Sequence, residues 1–588
     1  MKLFLLCLLM FMTLLRAEVI SESKLEELSQ HATWLKLLHF KDGKSTIVDE
    51  HFFLDDEGHL SSKKELNATI YAYFDALKKT EKQPLCRYPA RYYWLSTYVK
   101  LKNYAQVSRQ CTELNKWSLL ENTDSISVIF VSGYLGNPAS AFGHSFIKVN
   151  QSENIDDNLF DTSISYGALL PPKYTMPEYI VNGIFGGYTA AYSDKYYYNQ
   201  DITYSNQEYR DMWEYRLDLS DAQKKLFLLH AWELMGKKFQ YFFFNRNCGY
   251  KVSEFLELVY NHKIIDRARF WYAPIETFYK LKELESTGNL LIEKVKYIPS
   301  KQQQLYAHYK GLDEGEKKIV QKLIENNLTV IPKEFEPLSK NKKANALDFV
   351  LAYKKYKEPK SLHRALLLSR LRFPIRTDKI NRPKNKVDIT EYNKPNYLAL
   401  MLEKEGLNLH WSPFALEKDA YNDLEGDELV VFDTKLKLTK ENIELSKFDL
   451  IRIQKLQTQE LPFEEENLFS WNLHIGMHKL EERDYFAKAG VGFAWQLFDN
   501  TKVFSMVDVA LHSIKGRYRS TPKLGLFNNF NKLRLFTTLG YEKNFMNGHV
   551  QKVINMNGQY KMNHDFSFVL DYGFNKTENL ELGIQWFY

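Results

Sequence analysis

The sequence contains no pair of CxxC units, no HExxH, no P-loop and no dinucleotide-binding fingerprint, so zinc ribbons, zincins and nucleotide-cradling folds are not indicated. Beyond its first residues it also lacks any uninterrupted apolar run of about 18 residues, which excludes transmembrane helices. Charge of one sign is scarce too: the net formal charge is +6 over 588 residues. Nucleic acid is therefore not an expected partner, because binding it calls for a concentrated basic patch. Disorder is excluded by 44% hydrophobic against 26% charged residues, enough apolar surface to offset the entropy of ordering. Such a length points to roughly three or four folded units. What the chain does have is aromatics: 38 Tyr, 39 Phe and 10 Trp. These suit a core, a carbohydrate surface or a membrane girdle, and composition does not choose among them.

The chain starts with Lys2, an apolar run from Leu3 to Leu15, then Arg16-Ala17-Glu18. A cation, a short apolar stretch and a small residue describe a secretory signal peptide cleaved after Ala17. Cys86, Cys111 and Cys248 then remain for an oxidising compartment, where a pair is expected to close. Cys86 and Cys111 lie close in sequence and flank a probable helix, so they are the expected disulfide. Cys248 is left as the odd thiol.

Up to about residue 118 the pattern is helical, with Leu25, Leu28, Trp34, Leu37 and Leu38 at helical spacing. Ser125–Val131, Ser145–Val149 and residues 159–169 then suggest short strands. The stretch Gly183–Tyr198, with Gly183, Gly186 and Gly187 among tyrosines, reads as a mobile loop that could act as a lid. Helices return near 220–238, 248–261 and 300–372, the last broken at Asn327-Leu328-Thr329 and Pro332. Pro374, Pro383 and Pro395 punctuate a basic linker.

From about residue 396 the hydrophobic period becomes two. Tyr485, Ala487, Ala489, Val491, Phe493, Trp495 and Leu497 alternate with Lys488, Gly490, Gly492 and Gln496, and four further segments behave alike. Asn472, His474, Arg534, Asp565, Asp571, Glu581 and Gln585 fall on the polar faces. Long alternating strands between turn signals fit an antiparallel transmembrane β-barrel, apolar outside and polar inside, of roughly ten to twelve strands. Glu581-x-Gly583-x-x-Trp586-x-Tyr588 also resembles the C-terminal insertion signal of Gram-negative outer-membrane barrels.

Two stretches carry candidate chemistry: Gly143-His144-Ser145-Phe146, entering a strand, and Asn245-Arg246-Asn247-Cys248-Gly249-Tyr250, opening an amphipathic helix. A cysteine at a helix N-terminus meets unpaired backbone N–H groups and the positive end of the macrodipole, which favour thiolate. The same N–H groups can hold an oxyanion, and a histidine on a neighbouring strand can serve as general base. Tyr166 is the expected third polar residue that orients His144, with Ser163 and Ser165 as alternatives. Asn247 either caps the helix or contributes to the oxyanion site. His230 reads as structural, since no second ligand stands four residues away.

His on a strand followed by a helix opening Asn-Cys resembles the circularly permuted papain-like fold of NlpC-type peptidases and lecithin-retinol acyltransferase-like enzymes. More narrowly, residues 120–285 resemble the Lnb N-terminal periplasmic domain. The resemblance is carried by Gly143-His144-Ser145-Phe146, Gly183–Gly187 with Tyr188, Arg210-Asp211-x-Trp213-Glu214-Tyr215 and Asn247-Cys248. The upstream Cys86-Arg87-Tyr88-Pro89-Ala90-Arg91 resembles a segment found beside that domain. That family's named member is a lipoprotein N-acyltransferase of Gram-positive bacteria, anchored by transmembrane helices. The resemblance implies acyl transfer through a thioester, with Cys248 as nucleophile and His144 as base. The expected barrel departs from that anchor.

The expected fold is thus multidomain α+β: a signal peptide (1–17), a helical N-terminal domain (18–118), a permuted papain-like domain (119–290), a helical connector and linker (291–395) and a barrel (396–588). The expected function is a cysteine-dependent acyltransferase or hydrolase in the periplasm of a Gram-negative-type bacterium, acting on a lipid, a lipoprotein or an envelope amide. Its alternatives are a cell-wall amidase or peptidase, and a non-enzymatic outer-membrane channel with a periplasmic plug or recognition module. Outer-membrane lipid and the barrel-assembly machinery are the expected partners; no cofactor and no metal are expected.

Overall fold

The computed structural model describes residues 20–74, 83–101, 108–118, 122–135, 140–151, 159–267, 269–326, 335–358, 363–375, 383, 385–404, 406–439, 442–463, 469–479, 482–514, 518–575 and 577–588. The expected leader and the break at 327–329 and 332 lie outside these residues. The chain forms two compact units, the first drawn from residues up to 296 and the second from 134–137, 204–211 and 297 onward.

The first unit opens with helices α1 (Glu22–Ser29), α2 (Ala32–Leu37), α3 (Ser62–Phe74), α4 (Pro84–Arg87), α5 (Pro89–Leu95) and α6 (Thr112–Ser118). Leu25, Leu28, Trp34, Leu37 and Leu38 are all buried, as their spacing predicts. Cys86 and Cys111 form a disulfide with Cα atoms 5.2 Å apart. A fully buried cation centres these helices. Arg91 donates to Glu65 (2.5 Å) and to the Phe52 carbonyl (2.9 Å), and its guanidinium lies 4.0 Å over the Tyr88 ring. A second buried carboxylate, Glu233, stands 3.9 Å from Arg91 Nε, so two acids share the compensation of this charge.

A seven-stranded sheet follows: β1 (Thr123–Val131), β2 (His144–Gln151), β3 (Thr162–Ala168), β4 (Tyr188–Tyr196), β5 (Met212–Leu217), β6 (Lys238–Tyr241) and β7 (Ile292–Ile298), in the order β6-β4-β3-β2-β1-β5-β7. Helices α7 (Met176–Phe185), α8 (Asp221–Leu234), α9 (Cys248–Tyr260) and α10 (Glu276–Ser286) complete it, with α9 lying against β2 and β3. Gly183–Tyr198 is not the expected loop: it is the end of α7 followed by β4. Gly186 caps α7 in the left-handed region (φ 76°), and Gly183 sits so close to Phe243 that a Cβ would stand 2.2 Å from its ring. Those glycines serve close packing rather than mobility.

In the second unit, helices α11 (Lys301–Lys310), α12 (Glu314–Glu325), α13 (Lys340–Lys357) and α14 (Arg364–Arg370) share a core of Leu305, Ile319, Val320, Leu347, Phe349 and Tyr353. Leu461 and Phe463, from a barrel connection, enter the same core. The barrel has twelve antiparallel strands: β8 (Tyr397–Glu403), β9 (Gly406–Ser412), β10 (Glu428–Leu438), β11 (Ile443–Lys455), β12 (Ser470–Lys479), β13 (Arg483–Phe498), β14 (Thr501–His512), β15 (Tyr518–Phe530), β16 (Leu533–Asn544), β17 (Val550–Lys561), β18 (Phe566–Asn575) and β19 (Thr577–Phe587). A short segment, Phe414–Leu416, continues β9 past Pro413 along β10. β8 pairs with both β9 and β19, so the sheet closes and no edge remains to pair with other chains.

The outer face exposes Val491, Trp495, Leu497, Val509, Leu524, Tyr541, Phe568 and Ile584, while Asn472, Asp508, Arg534, Gln559, Glu581 and Gln585 are buried inside. Asp565, expected on an inner face, lies instead in the turn before β18. At the end where β8 begins and β19 finishes, the connection 417–427 folds into the lumen. Arg534 donates to the Ala420 and Asn422 carbonyls, Gln585 to Glu417 and Gln454 to the Gly426 carbonyl, and Lys561 stands 3.9 Å over the Tyr421 ring. Above this segment lies a polar cavity of about 300 Å³ lined by His410, Asp433, Arg452, His474 and Lys523 among others. At the opposite end one to five residues separate successive strands.

Candidate functional site

Helix α9 begins at Cys248, which is buried and, among the described residues, the cysteine outside the disulfide. Its start is fixed by Asn247, whose carboxamide oxygen accepts from the Tyr250 N–H at 3.2 Å. The nitrogen of the same amide donates to the Tyr272 (2.6 Å) and Phe243 (3.0 Å) carbonyls. A cap of this kind stabilises a helix by about 1 kcal/mol. Asn247 thereby pins the approach loop to the 272–274 segment, and its donors are taken, so it is a cap and not an oxyanion donor.

His144 is the first residue of β2, opposite Val131. It follows Gly143 at φ 89°, where a Cβ would stand 2.7 Å from the Phe130 ring, so only glycine fits the turn. Two bridges bring this strand start to the start of α9. Pro274 accepts from the Ser145 hydroxyl at 3.4 Å and packs on Gly249 so closely that a Cβ there would be 2.5 Å from its Cα. The Trp271 ring meets Phe142 edge-on (5.2 Å) and packs against Phe244 (4.5 Å). Residues flanking His144 and residues flanking Cys248 thus share the same two neighbours.

Tyr166 on β3 is 2% exposed, and its hydroxyl has no hydrogen-bond partner among the described residues. Burial, reinforced by Tyr241 and Glu254 and less by Cys248, holds its phenol far above the usual range. Tyr166 is therefore a neutral hydroxyl within electrostatic reach of the thiol, unable to orient an imidazolium as an anion would. Ser163 and Ser165 are occupied elsewhere: both accept from the Gln200 amide, at 3.2 and 2.9 Å.

Behind the thiol, one turn along α9, lies a buried charged chain. Lys251 donates to Glu254 at 2.8 Å, with its ammonium 4.0 Å over the Phe239 ring and 5.9 Å over Tyr166. Glu254 meets His39 Nδ1 at 2.9 Å, His39 Nε2 meets His230 Nε2 at 3.2 Å, and His230 Nδ1 stands 3.4 Å from Glu233. Glu233 in turn accepts from the Ala90 (2.7 Å) and Arg91 (3.0 Å) N–H groups. Burial opposes the Glu254 carboxylate, but Lys251 and His39 outweigh it and hold the group well below the usual range. Burial pushes the His39 imidazole down to about 4, against the pull of Glu254.

Residues 113–283 match the family model described as Lnb N-terminal periplasmic domain. These residues are an Lnb N-terminal periplasmic domain. Two further models match, a domain of unknown function (DUF7843) over 26–98 and another (DUF7840) over 419–588. No curated protein matches the chain. The barrel is similar to the KdgM porin (11% identity, 33% of this chain and 98% of that one, TM-score 0.23) and the NanC porin (7%, 33% and 99%, 0.22). It is also similar to the outer membrane protein Omp33 of Acinetobacter baumannii (9%, 34% and 100%, 0.22). Likeness at this level carries no functional argument. The closed barrel's own apolar exterior and the Lnb periplasmic domain ahead of it place the chain in an outer membrane, with its N-terminal part in the periplasm.

Sequence reasoning missed the Lnb domain's buried Lys251–Glu254–His39–His230 chain, because His39 stands more than two hundred residues before the helix it supports. His230, read as structural, is indeed a buried link of that chain. Arg246 was also missed as a charge at the site; it bears on the Tyr166 phenol from the approach loop. The one available signal was its place two residues before Cys248.

Proposed function

We propose that the Lnb domain of this protein is a cysteine-dependent acyl-transfer enzyme acting on an envelope lipid or lipoprotein, with Cys248 as nucleophile and His144 as general base. The carrying observation is a thiol outside any disulfide at the N-terminus of α9, at the same end of the sheet as the His144 strand start. A nearby apolar surface favours a lipid over a peptide. Gly183 and Gly186 of α7 seat on Phe243 and Phe242 of the loop leading to Cys248, while the helix turns Ile180, Val181 and Phe185 outward, the last 77% exposed. An acyl chain laid on that face would end near the thiol.

In this reading the Cys248 sulfur attacks the carbonyl carbon of an ester, and its proton passes to the His144 imidazole. The oxyanion that forms lies at the N-terminal end of α9, where the dipole of the helix and its first-turn backbone favour negative charge. Collapse breaks the C–O bond, the leaving alcohol takes the proton from His144, and a thioester remains on Cys248. An acceptor amine, or water, then attacks the thioester, gives its proton to His144 and releases the thiolate. Tyr166 supplies a neutral hydroxyl that can donate to sulfur or substrate. The barrel serves as an anchor, since the 417–427 segment occupies its lumen.

The test is intact and peptide mass spectrometry of the full chain isolated from its native envelope. A fatty-acyl adduct on Cys248, absent from Cys248→Ala, is expected. A peptide-derived adduct would overturn the lipid reading in favour of an amidase, and a Cys248→Ala protein matching wild type in every envelope assay would end the catalytic one.

A further inference from the structure

We propose that His478, Asp484 and His512 form a binding site for a zinc-class divalent cation at the outer mouth of the barrel lumen. His478 ends β12, Asp484 starts β13 and His512 ends β14, so three adjacent strands bring them together. The ladder fixes their spacing: His478 is directly opposite Asp484, and Phe486, two residues along β13, is opposite His512. One ligand atom from each lies within 4.8 Å of the others.

Both imidazoles converge on one carboxylate oxygen. Asp484 Oδ2 stands 2.7 Å from His512 Nδ1 and 3.4 Å from His478 Nε2. Ligand atoms around a tetrahedral zinc stand about 3.3 Å apart, so small side-chain rotations place all three at bonding distance. The other oxygen, Oδ1, accepts from the Ser513 backbone N–H (3.2 Å) and hydroxyl (3.4 Å), which orients the carboxylate and leaves Oδ2 for the cation. Such an outer partner is what metal sites use to hold a ligand in place. The Phe486 ring packs 5.1 Å from His478 and 5.8 Å from His512 and stiffens both.

Burial is graded in a way that suits exchange: the Asp484 and His512 side chains are 0% and 7% exposed, and His478 is 32% exposed. The Arg519 guanidinium, which bears on His478, is itself paired with Glu542 at 3.4 Å, so its charge is compensated. Two imidazoles and one carboxylate select zinc, nickel or copper over magnesium or calcium, which prefer all-oxygen cages. The three ligands sit at the strand ends opposite the start of β8. Given periplasmic N-terminal domains, that end faces the cell exterior. No sequence spacing announced the site, because strand pairing alone assembles it.

The test uses the full chain without a polyhistidine tag, folded in detergent, stripped with chelator and titrated with Zn²⁺ by calorimetry. One equivalent should bind. His478→Ala and His512→Ala should each weaken binding by more than about 100-fold, beyond the loss expected for an outer partner. His549→Ala, in a turn at the same end, should bind as wild type does. Heat-modifiable migration on gels checks that every variant holds a folded barrel. Wild type that binds no Zn²⁺, or a folded His478→Ala/His512→Ala double variant that binds it as tightly as wild type, would overturn the proposal.

Discussion

Acidification should loosen the periplasmic part of this protein through His39. The side chain is neutral in the fold, its pKa pushed by burial down to about 4, whereas in the unfolded chain it returns to about 6.5. Below pH 6.5 the unfolded state therefore binds a proton that the folded state refuses. The stability due to the neutral imidazole is complete above pH 6.5 and is lost as pH falls through about 4. Each unit of pKa difference is worth about 1.4 kcal/mol, so the whole window carries about 3 kcal/mol, of which about 2 kcal/mol is lost between pH 7 and pH 5. Glu254, held low by Lys251 and His39, loses stability in the same direction only once its unfolded carboxyl protonates, below about pH 4.5. Urea unfolding followed by tryptophan fluorescence, under conditions that leave the barrel's heat-modifiable band intact, would read this loss. His39→Gln keeps hydrogen-bonding groups for Glu254 and His230 but cannot titrate, so its stability should change little from pH 7 to pH 5. Equal pH slopes in wild type and His39→Gln would refute the reasoning.

Removing the disulfide with Cys86→Ala/Cys111→Ala frees a loop with a sequence separation of 25, and chain entropy predicts a loss of about 3.5 kcal/mol; an unchanged urea midpoint would contradict it. Gly249→Ala puts a methyl group against the Pro274 backbone and should cost about 1–3 kcal/mol while abolishing the Cys248 adduct. Unaltered adduct formation would show that the Pro274 contact does not position the thiol. Val491→Arg, outward at mid-strand on β13, should cost about 2–4 kcal/mol of barrel stability on refolding into bilayers, and no loss would mean that this face does not meet lipid. Planar-bilayer recordings should show no steady conductance; reproducible single-channel openings would rule out a lumen closed by 417–427.

The barrel was the most legible part of the sequence. Period-two alternation through Tyr485–Leu497 survives in the structure because lipid and lumen impose opposite chemistries on successive side chains. Cys248 was legible for a different reason: Asn before Cys before an amphipathic run is a local signal, and local rules fix helix starts. The misreading of Gly183–Gly187 shows the limit. Glycine marks both loops and places where a ring presses on a backbone, and only the position of Phe242 and Phe243 tells which. The His39 chain and the His478–Asp484–His512 group stayed invisible because their members meet through tertiary packing and strand register, which a single sequence does not display. The segment 417–427 reads as a plain polar connection until Arg534 and Gln585, more than a hundred residues later, are seen to grip it.

The buried Arg91 has a consequence for the order of events during export. Its backbone N–H is capped by Glu233, a residue that leaves the ribosome 142 positions later. A chain crossing into the periplasm N-terminus first presents α1–α5 long before α8 arrives; until then Arg91 has its Glu65 partner but lacks the backbone cap and the second carboxylate that Glu233 brings. The helical N-terminal segment thus completes its backbone hydrogen bonding only once α8 has emerged. Expressed as an isolated fragment, it would leave the Ala90 and Arg91 N–H groups without their Glu233 acceptor.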